Sequence, residues 1–134
     1  MVHDKDDPQC MGCKNKLLDV HLALNAWFWD MKKRYEDLHI SWGFRDEKHQ
    51  RADFKAGLSR LNWPNSKHNN MLDGSPCSLA LDVFRIDQQT GAALFNSSFY
   101  TVLNEYSKSQ GYNLRWGGEF KTLKDLDHFE LIDG

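Results

Sequence analysis

No run of about eighteen apolar residues occurs anywhere in the chain. With a mean hydropathy of −0.68, that excludes a membrane-spanning helix. An excess of one charge is missing too. Seventeen Lys and Arg stand against nineteen Asp and Glu, a formal charge of −2 with a pI near 6.3. No broad positive field is available to hold a phosphate backbone, so nucleic acid is not the expected main partner. Cysteines are few and odd in number, three, and make no disulfide framework. Cys10-Met-Gly-Cys13 has the spacing of a zinc half-site or a redox pair. No second CxxC or CxxH follows to complete four ligands. Met1 to Pro8 is polar and acidic, without an apolar stretch after a basic one, so no secretory signal is read there. Repeats, linkers and low-complexity segments are absent.

What remains is 134 residues with 40% hydrophobic, 27% charged and 13% aromatic side chains, the balance of a globular protein with a real core. The expectation is one domain over 1–134, monomeric, with residues 1–14 loosely ordered. Leu17, Val20, Leu24, Phe28, Met31 and Tyr35 recur at steps of three and four, which predicts one long helix over 15–38, widened by Trp27 and Trp29. His21 within it reads as structural.

His39 to Arg45 alternates like a strand. Asp46 can cap a helix over 47–57 that ends near Gly57. Residues 59–78 are rich in Asn, Ser, Pro, Gly and Lys, and a loop of that length in a compact domain is usually functional. Leu79 to Ile86 reads as a half-buried strand, and Gln88 to Gly91 as a turn into a short strand over 92–95. Ser97 or Ser98 is the expected cap of a helix closed by Gly111. Residues 112–116 and 128–132 are further strand candidates. Helices and mostly consecutive strands in this order predict an α+β fold, helices against a small antiparallel sheet.

Asp82 lies between apolar Leu81 and Val83, close to the core, where a bare carboxylate costs several kcal/mol unless it finds a cation, donors or a metal. His68 stands in the polar loop and His128 opens the last strand. Two histidines and one aspartate with a fourth position open is a catalytic zinc pattern, although composition alone does not select these three.

Four strings in order narrow the choice: Ser66-Lys-His68, Ser78-Leu-Ala-Leu-Asp82, Trp116-Gly-Gly118 and Asp125-Leu-Asp-His-Phe-Glu130. Together they resemble the zinc peptidases of the D-alanyl-D-alanine carboxypeptidase/L-alanyl-D-glutamate endopeptidase family, nearest to its small phage endolysins, over residues 39–132. The resemblance implies the fold shared by these peptidases and the hedgehog signalling domain, and one zinc ion held by His68, Asp82 and His128. It makes Asp125 the general base toward a zinc-activated water, Arg45 the contact to substrate and developing oxyanion, and Ser66 a residue near substrate. Zinc lowers the pKa of its water to about 7, a carboxylate in reach carries the proton, and a fixed guanidinium suits both an oxyanion and the carboxylates of a stem peptide.

The separation of His68 from Asp82, fourteen positions, is longer than the family's customary one. The insertion brings in Asp73 as an alternative ligand and Cys77 as a small buried residue near the site. Asp127 is an alternative to Asp125, but adjacent residues on an extended segment face opposite ways, which favours Asp125. Glu130 shares the face of His128 and is either its outer partner or a structural ion pair. His49 and Gln50 follow Arg45 on the predicted helix, Gln50 either touching substrate or on a solvated face. Trp116 either shapes the cleft wall or packs in the core.

The implied activity is hydrolysis of peptidoglycan stem peptides, at the L-Ala–D-Glu bond in the endolysin branch. The alternatives are removal of a terminal D-Ala and a non-catalytic zinc-stabilised binding module. With no signal and no wall-binding domain read in the chain, the expected setting is synthesis in a host cytoplasm and action on a thin wall after holin-type release.

Overall fold

The structure, a computed structural model, describes residues 10–121 and 124–132. In chain order it contains α1 (Met11–Leu17), α2 (Leu22–Arg34), β1 (Leu38–Trp42), α3 (Glu47–Lys55), β2 (Met71–Leu72), β3 (Ser75–Pro76) and β4 (Ala80–Ile86). These are followed by β5 (Ala93–Leu94), α4 (Ser97–Ser109), β6 (Leu114–Trp116) and β7 (His128–Leu131). Short 3-10 turns cover Lys67–Asn69 and Gly117–Glu119. The main sheet runs β1-β4-β7-β6, with β5 pairing the end of β4 beyond β7, and every pairing is antiparallel. The α+β expectation holds.

Alternation along β4 and β7 divides the molecule into a packed face and a polar face. Leu81 pairs with Phe129 and both join the hydrophobic core; Asp82 pairs with His128 and both point the other way. Against the core face lie α2 and α4. Leu24, Trp27, Phe28 and Met31 from α2 meet Tyr100 and Leu103 from α4, all buried. The Trp27 ring sits 5.0 Å from that of Phe129 and its indole N–H donates to Ser107 Oγ at 2.9 Å. Each such side chain contributes on the order of 1.5–3 kcal/mol through burial.

The single long helix expected over 15–38 is two helices. Between them the chain leaves helical geometry to bond with the segment before β4: Ser78 N–H donates to Asp19 O at 2.8 Å, and His21 N–H to Ser78 O at 2.9 Å. His21, with φ −53 and ψ 142, then caps α2 by accepting the Ala23 N–H on Nδ1. The apolar period continues across this break, so periodicity alone does not reveal it. The N-terminal segment also departs from expectation over its last residues. Cys10 and Cys13 are fully buried and α1 packs on β1, while residues 1–9 lie outside the described residues. At the other end of the chain Asn96, rather than Ser97 or Ser98, caps α4.

The insertion after His68 forms an exposed hairpin, β2–β3, whose turn places Asp73 and Gly74 at φ 51 and 79. Both central residues in the left-handed region make a turn of the type favoured in two-residue hairpins. The extra residues project as a finger, and β4 keeps its place.

Candidate active site

His68, Asp82 and His128 meet on the polar face. His68 Nε2 is 3.2 Å from Asp82 Oδ1 and 3.2 Å from His128 Nδ1, and His128 Nδ1 is 3.1 Å from Asp82 Oδ1. Donors about 2.0–2.1 Å from a tetrahedral zinc are about 3.3 Å apart, so the triangle has the size the ion requires. All three side chains are buried.

The tautomers follow from the outer partners. His68 Nδ1 lies 2.8 Å from the Gly43 carbonyl. A carbonyl only accepts, so Nδ1 carries the proton and Nε2 turns its lone pair to the centre. His128 Nε2 lies 2.7 Å from Glu130 Oε1, which holds a proton on Nε2, so that Nδ1 is the nitrogen that presents a lone pair when a metal takes the place of the second proton. Asp82 offers Oδ1, while its Oδ2 is 3.5 Å from Arg45 Nη2. Each of the three groups is thus oriented from behind, the pattern that fixes metal ligands. Burial alone raises the Asp82 pKa, but the two imidazoles outweigh it and hold the carboxyl well below its usual range. Burial lowers that of His128, and Asp82 with Glu130 overcomes this and pushes it up to about 10. The centre therefore attracts positive charge, and the donor set fits zinc.

The loop before β7 brings two more carboxylates. Asp125 Oδ2 is 3.7 Å from His128 Nδ1 and its side chain is 50% exposed, open to water beside the three donors. Asp127 does not turn away as extended geometry predicted. Its carboxylate clusters with those of Asp82 and Asp125, because the chain makes a turn at 126–127 before β7 begins. Burial, then the Asp82 charge and a hydrogen bond with Asp125, push Asp127 up to about 8. Asp125 is the more exposed of the pair. Gly117 makes room for it: a Cβ there would stand 2.0 Å from the Asp125 carbonyl oxygen.

Arg45 is buried, its Nε 3.3 Å from Asp53 Oδ2 and its guanidinium 4.9 Å from the centre of the Trp42 ring. Gln50 is neither solvated nor in the cleft. It is fully buried, its Oε1 accepting from Arg45 Nη1 and Asn69 Nδ2, its Nε2 donating to Ser59 Oγ and the Leu61 carbonyl. It holds Arg45 and the loop together instead of touching substrate. Ser66 lines the cleft and caps the 3-10 turn by accepting the His68 N–H at 3.2 Å. Trp116 is a core residue. It stacks on Phe129, and its indole N–H donates to the Leu126 carbonyl at 2.7 Å, bracing the loop that carries Asp125. Asp73 sits exposed on the hairpin, and Cys77 is half-buried; neither belongs to a metal-competent cluster among the described residues.

These groups open into a cleft of about 610 Å³, whose wall also carries Arg60, Arg115, Lys121 and Lys124. Sequence reasoning missed those cations, which come from four separate positions, and missed Gly43, Asp53 and Asn69. A glycine directly after a strand and just before Arg45 was the available sign for Gly43. A Cβ there would stand 2.7 Å from the Lys16 carbonyl.

No protein-family model and no curated protein sequence matches the chain. Among solved structures it is similar to the crystal structure of the Serratia marcescens L-Ala D-Glu endopeptidase ChiX, with 27% identity and a TM-score of 0.67 over 89% of this chain and 85% of that one. This likeness, across most of both chains, supports a relation between this fold and that of the peptidase.

Proposed function

We propose that the chain is a zinc-dependent endopeptidase of peptidoglycan stem peptides that cleaves the L-Ala–D-Glu bond. The observation that carries this reading is the triangle of His68, Asp82 and His128 donors, 3.1–3.2 Å apart, with Asp125 at its open side. The similarity to an L-Ala D-Glu endopeptidase supports the bond. When bound by those three residues, zinc supplies Lewis acidity and lowers the pKa of a water to about 7.

The chain's own groups do the rest. Asp125 Oδ2 takes the proton of the attacking water and returns it to the leaving amine. Arg45 sets a fixed positive charge on the cleft wall where the scissile carbonyl becomes negative, an effect often worth several kcal/mol. Glu130 keeps the proton on His128 Nε2, and Gly43 keeps the proton on His68 Nδ1. The cations of the wall suit a substrate rich in carboxylates, as stem peptides are. An endolysin role, as a monomer released to the wall by a holin-type partner, is the setting we attach to this chemistry.

Purified peptidoglycan digested with the zinc-loaded protein and read by mass spectrometry tests the proposal. New L-Ala carboxyl and D-Glu amino termini are expected. Release of free D-Ala with that bond intact would replace the reading by a carboxypeptidase, and an uncut wall would leave a binding module.

A further inference from the structure

Away from the cleft, two elements bring together a second set of metal-binding side chains. Cys10 caps α1, Cys13 lies in its first turn, and His39 stands on β1; all three are fully buried. His39 Nδ1 is 3.3 Å from Cys10 Sγ and 3.6 Å from Cys13 Sγ, and the three donor atoms all lie within 4.8 Å of one another. Around a tetrahedral zinc, with about 2.3 Å to sulfur and 2.0–2.1 Å to nitrogen, a sulfur–nitrogen edge is about 3.6 Å. Both sulfurs also accept a backbone amide, Cys10 Sγ from Cys13 N–H at 3.4 Å and Cys13 Sγ from Ile40. Burial, with the Cys10 side chain, pushes the Cys13 thiol up to about 12 against the opposing Ile40 amide and Lys32 ammonium, so it is a bound metal that displaces the proton.

We propose that Cys10, Cys13 and His39 form a second, structural zinc site that fastens α1 to β1. Two thiolates and a neutral imidazole cancel the charge of a divalent ion, which suits a site without solvent. Among the described residues the chain supplies three corners of the tetrahedron, and one further ligand completes it. The sequence left the CxxC without partners because the third donor comes from 26 residues further on, in a strand. The site lies outside the cleft, and its ions are held by sulfur, so it stands or falls separately from the proposed peptidase.

Full-length protein purified under reducing conditions from zinc-supplemented culture should carry about two zinc ions per chain, one for each donor set. Exchange into cobalt(II) should give a strong near-ultraviolet sulfur-to-cobalt absorption, which the His2Asp centre has no sulfur to produce. Cys10→Ser with Cys13→Ser should remove that band and one zinc, and His39→Ala should weaken the band. The wild-type cobalt spectrum needs no variant to fold. A single zinc with no sulfur band in the wild-type protein, or a mass two hydrogens short that marks a Cys10–Cys13 disulfide, would overturn the site. Because hydrolysis is read separately, an active enzyme lacking the band refutes this proposal alone.

Discussion

Gly117 and Asp125 pack backbone against backbone: the Asp125 N–H donates to the Gly117 carbonyl at 3.0 Å, and no side chain fits at 117 without meeting the Asp125 carbonyl. The carboxylate that faces the donor triangle is therefore placed by a residue that has no chemistry of its own. Gly117→Ala is expected to keep zinc yet lose on the order of a hundredfold in kcat, the cost of a displacement of about 1 Å at a reacting group. Steady-state kinetics beside metal analysis checks this, and unchanged kcat would show that the loop moves freely.

Asp125→Ala should bind zinc with wild-type stoichiometry and lose about 10²–10⁴-fold in hydrolysis, the range of a general base. Asp127→Asn is the matched control and should retain most of the activity. If the two variants exchange behaviours in a muropeptide assay, the proton is carried by Asp127.

Glu130→Ala removes the acceptor from His128 Nε2 and the partner of Lys67 Nζ, 3.2 Å away. Outer partners of this kind are worth about 10–100-fold in metal affinity. Competition with a chromophoric chelator should find zinc weakened by that factor. Affinity equal to wild type would reduce Glu130 to a structural ion pair.

Chelation should abolish hydrolysis and lower the melting temperature, because an ion that binds only the folded chain stabilises it by mass action. Zinc should restore both. Scanning calorimetry before and after dialysis against chelator measures the shift; a melting temperature indifferent to chelator would separate the metal from the fold.

Tyr100 lies in the core, and its hydroxyl donates to the Val83 carbonyl at 2.6 Å on the strand that carries Asp82. Tyr100→Phe leaves that carbonyl short of a partner and should cost about 1–3 kcal/mol of stability, read by urea denaturation, with little change in kcat.

Most of the fold could be read from local pattern. The segments around Asp82 and His128 were both read as strands, and the apolar residues of α2 and α4 showed their period. The errors fell where a distant segment overrode local preference. Ser78 draws residues 19–21 out of helix. Gln50 is buried because Arg45, Asn69, Ser59 and Leu61 converge on it, although its own helix is polar enough to look solvated.

The order of His68, Asp82, Asp125 and His128, the residue types and the resemblance they carry were determined by the sequence by itself, since strand periodicity and donor chemistry are local properties. Only the tertiary structure decided how they act together. Cross-strand register sets Asp82 opposite His128, the Gly43 carbonyl and Glu130 choose the nitrogen each histidine presents, and the α1–β1 contact brings His39 to two cysteines. The physical reason is the same in each case. A hydrogen bond or a ligand triangle needs atoms within about 3 Å, and no spacing along the chain specifies a distance between segments that meet only when the core closes.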